Sequence, residues 1–530
     1  MTSKITKTPS YCAQCRSRCG CLVVLEDDKL LGIEPLEGHP SGEKLCPKGK
    51  AAAELVYHSD RLTHPMRRTS AKDGTTPSWE IISWEEALDE ITTRMKLIKD
   101  ELGAEQIAFS VTTPSGTHIS DGISWIERFI RAFGSPNTIY GTEICNWHKD
   151  VASRFTYGTD IGTPDFANTD CILLWGNNPS ATWLARSVEV QKARKRGVKM
   201  IVVDPRPTFF ARRADCWLRV KPGTDQALAL GIAQVLIEDN GFDRQFIDEW
   251  SNGPLLVRTD TGFFLRQSDI IPDGDPDIYL ASQPDGENLL RYNANKGSWL
   301  DSNAKVDLYA ECIVDTLEGR VPCRTAFGLY AAAVKEHSLE WVETITGVAV
   351  EYIRQAAEIL ASSKTTAYYA WNGVGQSSTA TQTERAISLL YSLTGSFGDK
   401  GGNVPGVAAP FADISGHDLL DEEQRSKALG LKERPIGPAR SGWVTARDVY
   451  RAVLNHKPYP ISMLFSFHSI THSLNIQFTV PVFSVVVDVS EELPTGFSQV
   501  DSRKITTHKP GRKRRMFLLI IKNHDFLCLF

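Results

Sequence analysis

A chain of 530 residues with 42% hydrophobic and 23% charged residues has the make-up of a globular protein with ample material for buried cores, not of a disordered or fibrous one. Its formal net charge of -5 leaves no electrostatic footprint for nucleic acid or an anionic membrane surface. No apolar run reaches the length of a membrane span, and the first ten residues carry neither an apolar core nor a twin-arginine pair, so a cytoplasmic chain without a membrane span is expected.

Five of the 11 cysteines fall before residue 47, a clustering that favours a metal centre over a disulfide framework. Cys12, Cys15 and Cys19 follow C-x2-C-x3-C spacing, and Cys46 comes after 26 intervening residues in Cys46-Pro47-Lys48-Gly49. A four-iron cube needs one thiolate per iron, three from a loop that curls round it and a fourth from elsewhere. Zinc is the rival, but zinc ribbons present two C-x2-C knuckles and the second is missing here. Cys21 is a fifth thiol without an assignment. Lys48 reads either as a solvated lysine or as a cation between the cluster and a second, anionic cofactor.

Further along, residues 22–33 read as a hairpin turning at Glu26–Asp28. Ser83 and Glu86 form a capping box that opens an amphipathic helix. A strand is expected at Ile107–Val111 and a helix over 121–133. A helix beginning near Cys145 would lower the pKa of that thiol, leaving metal ligand, nucleophile and small buried hydrophobe as readings. Two strand-loop-helix units follow: Cys171–Trp175 into Gly176, Asn177, Asn178 and Pro179, and Lys199–Val203 into Asp204, Pro205 and Arg206. Alternating strands and helices imply an open, mostly parallel α/β sheet, whose ligands lie beyond the carboxyl ends of the strands. Those two loops should therefore share one crevice. There is no G-x-G-x-x-G, so an ordinary nicotinamide site is not supported. Gly223, Thr224 and Asp225 open a helix, as an anion site or simply as a good cap.

Residues 254–330 lack the strand-helix rhythm and read as an irregular excursion, with Cys312 and Cys323 as packing residues. The rhythm returns at Thr366–Trp371, followed by Asn372, Gly373 and Gln376. Gly395, Gly398, Gly401 and Gly402 fall within eight residues, which marks a backbone held close to something: a ligand, or only a flexible loop.

Together these stretches resemble the molybdopterin oxidoreductases of the dimethyl-sulfoxide-reductase family, from about Ser10 to about Val489. The resemblance rests on the cysteine opening, Trp79–Glu90, Trp175-Gly-x-Asn-Pro, Val203–Arg206, Lys221–Leu230 and the stretch Asn372–Asn403, in the family's order. It implies a [4Fe–4S] cluster on Cys12, Cys15, Cys19 and Cys46. It also implies molybdenum or tungsten held by two molybdopterin guanine dinucleotides. Cys145 falls where the family places its metal ligand, and Lys48 would lie on the electron path between cluster and pterin. Gly176, Asn178, Pro179, Asp204, Arg206, Gly223, Thr224 and Asp225 would grip one dinucleotide. Asn372, Gly373, Gln376 and the glycines of 395–402 would lie along the dithiolene region or the second dinucleotide. The implied activity is two-electron oxidation or reduction of a small substrate, with an electron-transfer protein or subunit as partner. A cysteine ligand favours the formate dehydrogenase, nitrate reductase and polysulfide reductase branches. Formate itself is less favoured, since Asn146 follows Cys145 where a histidine is usual. His148 is a proton carrier near the metal or a structural histidine. The rival classes are a non-redox hydratase or lyase of the same family and a truncated, cluster-binding scaffold. The expected organisation is an iron-sulfur domain at 1–65 and a discontinuous molybdopterin domain at 66–140 plus 331–489. A dinucleotide domain at 141–330 and an aberrant tail at 490–530 complete it, with the family's carboxyl-terminal β-barrel cap missing.

Overall fold

The computed structural model describes residues 3–15, 17–70, 78–111, 119–286, 288–301, 305–406, 410, 412–467 and 483–487. The expected tail at 490–530 lies outside the described residues. Two compact units emerge. One is built from residues up to Cys145 with 183–186 and the described residues from 410 onward; the other is built from 146–182 and 187–406.

In the first unit an antiparallel three-stranded sheet carries the cysteines, in the order Ile5–Tyr11, Gly20–Glu26, Lys29–Pro35. The hairpin turns at Asp27-Asp28, with Asp27 at φ +52°, the left-handed conformation a tight hairpin needs. The Ile5–Tyr11 strand was not expected. It pairs Ser10 with Cys21 and Tyr11 with Gly20, so the Cys12–Cys19 segment becomes a loop tied at both ends. The capped helix runs Trp84–Leu102, and the Ser83 hydroxyl accepts the Glu86 N–H at 3.1 Å. Met95 and Ile98 of that helix pack on a second sheet, ordered Phe483–Val487, Met463–Phe467, Ile107–Val111, Thr138–Tyr140 and parallel throughout.

The second unit is centred on a parallel sheet ordered Cys216–Leu218, Lys199–Val203, Cys171–Trp175, Thr366–Ala370. Every residue of Cys171–Trp175 and of Thr366–Ala370 is buried, as strands covered on both faces require. The helix Asp225–Glu238 is apolar nearly all round because neighbouring helices enclose it. The excursion forms two antiparallel three-stranded sheets, and Cys312 stands opposite Cys323 in one of them, both unoxidised.

The division differs from the expected one at residue 330. Thr366–Ala370 hydrogen-bonds to Cys171–Trp175, so the segment up to 406 joins the dinucleotide region instead of the 66–140 region. Only the later part, through Met463–Phe467, returns to pair with Ile107–Val111. Among the described residues no helix is long and apolar enough to cross a membrane.

Candidate functional site

The Cys12–Cys19 loop closes through the Cys12 N–H donating to the Cys19 carbonyl at 2.8 Å. Its reversal is at Arg18, with φ +45°. Gly20 is needed for a different reason: a Cβ there would lie 2.3 Å from the ring of His39. Cys46 caps the short helix Pro47–Lys50, with proline at its first turn. The result is one cavity lined by Cys12, Cys15, Cys19 and Cys46 together with Gln14, Leu45, Lys48 and Gly49. Among the described residues no three His, Cys, Asp or Glu side chains converge as they would on a single ion. Four thiols around one cavity suit a four-iron cube, which takes one thiolate at each iron. Burial pushes Cys19 up to about 11, and Cys15, Cys12 and Cys46 add to the rise. Burial also raises Cys12, while Lys48 pulls it back. Crowded thiolates of this kind need cations to compensate them, which bound iron supplies. Cys21 does not line the cavity; it is buried against Cys19 and Leu45 as a core thiol.

In the second unit a crevice of about 320 Å³ opens beyond the carboxyl ends of the parallel strands. Gly176, Asn178, Asp204 and Arg206 line it, as the topology argument expects, and so do Asn372, Gly373 and Gln376. The last three thus share one crevice with the first four, where the sequence reading set them apart. Pro205, within the expected Asp204–Arg206 loop, lines it too, as do Thr182 and Trp371, which were not singled out. Each flanks a predicted turn, which is the only signal they offered. The floor is formed by backbone against backbone. Gly176 has φ +56°, its carbonyl accepts the Gly373 N–H at 3.2 Å, and a Cβ on Gly373 would lie 2.6 Å from the Gly176 Cα. Asp204 is buried, and its Oδ1 accepts the Arg206 N–H at 2.8 Å. Burial raises the Asp204 pKa, against the Arg206 N–H and guanidinium. The Arg206 side chain is largely exposed. The Asn372 Oδ1 is buried without a hydrogen-bond partner among the described residues. An acid, a guanidinium, three amides and an unclaimed acceptor fit a nucleotide's ribose, phosphate and base edges.

Other expected residues fall elsewhere. Gly223, Thr224 and Asp225 do not line the crevice. Thr224 donates to the Lys221 carbonyl at 2.8 Å, and buried Asp225 accepts the Trp175 indole N–H at 2.8 Å, holding the ring just before Gly176. Pro179 is buried at the start of the Pro179–Thr182 helix. Cys145 ends the helical turn Thr142–Cys145 rather than opening a helix, so the expected N-terminal field is not at its thiol. His148 opens a π-helical turn, His148–Ala152. It is fully buried, and neither ring nitrogen makes a hydrogen bond of ordinary geometry among the described residues. Burial lowers its pKa to about 4, with Lys149 adding to the effect and Asp150 and the Ala370 carbonyl opposing it.

The glycine run sits at the other end of the sheet. A Cβ on Gly402 would lie 1.7 Å from the Ser396 carbonyl oxygen; one on Gly401 would lie 2.8 Å from the Asn168 carbonyl oxygen; one on Gly395 would lie 2.5 Å from Asp243. The Gly401 N–H donates to Asp165 at 3.1 Å, near the start of Cys171–Trp175. Next to it, the Asn403 side chain accepts the Tyr368 N–H and donates to the Tyr368 carbonyl, both at 2.9 Å. The run seals the outer edge of Thr366–Ala370 like a substitute strand. Gly395, Gly401 and Gly402 are therefore explained by packing against the chain itself; Gly398, at φ +82°, has open space around it.

Comparison with known proteins gives a consistent result. The family model described as molybdopterin oxidoreductase matches residues 61–477, and that of the molybdopterin oxidoreductase Fe4S4 domain matches residues 5–58. The thiosulfate reductase molybdopterin-containing subunit PhsA of Salmonella typhimurium is 32% identical over 259 residues, 48% of this chain and 32% of that protein. Acetylene hydratase of Syntrophotalea acetylenica is 32% identical over 252 residues, 47% of this chain and 34% of that protein. Dopamine dehydroxylase of Eggerthella lenta is 25% identical over 549 residues, 86% of this chain and 53% of that protein. The chain thus spans between about a third and about half of the length of these relatives. Among solved structures, acetylene hydratase from Pelobacter acetylenicus has the same fold, with a TM-score of 0.66 and 24% identity over 87% of this chain and 57% of that one.

Proposed function

Because the chain belongs to the molybdopterin oxidoreductase family, with its [4Fe–4S] and molybdopterin domains, we propose that it serves a two-electron oxidation or reduction of a small substrate, with electrons passing singly through the cluster. The observation that carries this reading is the single cavity walled by four thiols and Lys48. In it Cys12, Cys15, Cys19 and Cys46 would each hold one iron, and the Lys48 ammonium would offset negative charge at the cluster wall. Cys145 is the ligand to the heavy metal, its thiolate a soft donor suited to a metal that changes oxidation state. When bound, molybdenum or tungsten on two pterin guanine dinucleotides supplies the two-electron chemistry.

The chain's own residues then bind and orient. Gly176 and Gly373 let a ligand approach backbone. Asp204 keeps one carboxylate oxygen engaged by the Arg206 N–H and offers the other to a ribose hydroxyl. Arg206 reaches a phosphate or base edge, and Asn178, Asn372 and Gln376 read polar edges. An electron-transfer protein or subunit completes the path. The likeness to acetylene hydratase favours a second reading, hydration without net redox change.

The deciding experiment is anaerobic purification, quantitation of iron and of molybdenum or tungsten, and a screen with electron-acceptor dyes. Turnover that demands an acceptor supports the redox reading, and turnover without one supports hydration. Iron without molybdenum or tungsten overturns both and leaves a cluster-binding scaffold. Cys145→Ala is expected to abolish turnover while leaving the cluster spectrum intact; retained turnover would remove Cys145 as ligand.

A further inference from the structure

We propose that Glu384, Tyr368 and His148 form a buried proton relay behind the floor of the crevice. Glu384 lies on the helix Ala380–Leu393 and is fully buried. Its Oε2 accepts the Tyr368 hydroxyl at 3.2 Å and its Oε1 accepts the Ser388 hydroxyl at 3.5 Å. Among the described residues it has no ion pair. A buried carboxyl served only by hydroxyls holds its proton, because nothing there compensates a full charge. Burial accordingly pushes it up to about 8, against Tyr368, Lys149 and Ser388.

The groups facing it are otherwise engaged. Lys149 is paired with Asp150 at 2.6 Å. Tyr157 donates to the Ser388 carbonyl at 2.8 Å, and Tyr391 donates to the Ser396 carbonyl. Asp225, whose charge is felt at Tyr368, holds the Trp175 indole, and the next residue on the same helix, Arg385, is itself lowered by burial.

His148 is the complement of Glu384: a buried, neutral imidazole whose nitrogens make no hydrogen bond of ordinary geometry among the described residues, with the Ala370 carbonyl as the backbone acceptor that acts on the ring. The helix Ala380–Leu393 packs on both the His148–Ala152 turn and the Asn372–Gly375 turn. A Cβ on Gly375 would fall 2.5 Å from the His148 Nδ1, so the glycine is what lets the ring lie there, and the next residue, Gln376, lines the crevice. A buried acid holding its proton and a buried base lacking one, set on packed elements, are the two halves of a relay. In the proposed relay an ordered water, of the kind that buried polar groups recruit, would bridge ring and carboxyl. In one passage the Glu384 O–H breaks and an N–H forms on His148, and the ring's other nitrogen releases a proton toward the crevice. The Tyr368 hydroxyl stabilises the carboxylate until solvent returns a proton; no electrons move.

The role assigned to this relay rests on the crevice taking the cofactor, but its test does not use turnover, so the two fail separately. Infrared titration of the purified chain is expected to show a protonated-carboxyl carbonyl band that disappears with a midpoint near pH 8 and is missing in Glu384→Gln. On transfer to heavy water, His148→Gln is expected to slow the deuterium shift of that band by about tenfold or more, with fold checked by circular dichroism. Absence of the band from the wild-type chain at neutral pH, or an unchanged exchange rate in His148→Gln, overturns the relay. Should His148→Gln not fold, Tyr368→Phe decides: loss of the hydroxyl raises the midpoint, and an unmoved midpoint overturns the relay.

Discussion

The two ends of the parallel sheet in the second unit are both crowded with glycine, and they are put to opposite uses. At the carboxyl end Gly176 and Gly373 press on each other, and beyond them lies about 320 Å³ of open space. At the amino end Gly401 and Gly402 press on the carbonyls of Asn168 and Ser396, and the space is filled by the chain itself. A glycine cluster in a sequence says that backbone comes close to something. Strand direction decides whether that something is the fold or a ligand, because the crevice of an open α/β sheet lies outside the carboxyl ends.

The sharpest way to break this comparison is Gly402→Ala. The added methyl would lie 1.7 Å from the Ser396 oxygen, in a loop pinned by the two Asn403–Tyr368 hydrogen bonds. Overpacking against a pinned backbone is expected to cost about 3 kcal/mol or more and to lower the melting temperature accordingly. Gly398→Ala is the control: nothing lies within 4 Å of the new Cβ, so only the left-handed backbone, about 1–2 kcal/mol, is at stake. Equal melting temperatures for the two variants would show that the amino-end loop yields and is not a structural seal.

The same contrast explains what was legible in the sequence. The cluster cysteines are readable because their chemistry lies in side-chain type and spacing along one short loop. The strands Cys171–Trp175, Lys199–Val203 and Thr366–Ala370 are readable because buried strands are short runs dominated by apolar and aromatic residues. Their order is not readable: local pattern does not say that Thr366–Ala370 docks beside Cys171–Trp175. For that reason Asn372, Gly373 and Gln376 were expected apart from Gly176 and Asp204, and a domain boundary was expected at 330. Ile5–Tyr11 left no signal because nearly all of it is exposed, and it is a strand only because Gly20–Glu26 offers an edge. Cys145 shows the usual error at element ends, with a turn closing where one was expected to open.

A second, smaller effect separates the ends by acid sensitivity. His148 lies under the carboxyl-end floor with a pKa lowered from 6.5 to about 4. The fold favours its neutral form, so between those values the unfolded chain binds more protons and stability falls as pH drops. The contribution is full above pH 6.5 and is lost as pH falls through about 4, amounting to at most about 3 kcal/mol. Denaturant unfolding of the wild-type chain and His148→Gln at pH values across this window is expected to show a shallower slope in the variant. Parallel slopes would mean that the imidazole titrates as it does in the unfolded chain.

The last effect falls at the crevice, where the main consequence is lost ligand. Gly373 is exposed and lies in the four-residue turn Asn372–Gly375, but a methyl there would lie 2.6 Å from the Gly176 Cα, so the turn must shift. Gly373→Ala should therefore fold but lose about 1–3 kcal/mol of stability. Moving the turn displaces Asn372 and Gln376 relative to Asp204, and a ligand held by all three loses their joint geometry. A tenfold fall in affinity corresponds to about 1.4 kcal/mol, which one misplaced polar contact in a buried site supplies. Guanine nucleotide released from the purified variant should accordingly drop about tenfold at limiting cofactor, while iron content, set by the cysteine cavity of the other unit, stays at the parent value. If nucleotide content is unchanged, the carboxyl-end glycines are a seal like those of the amino end, and the crevice is not where the dinucleotide is held.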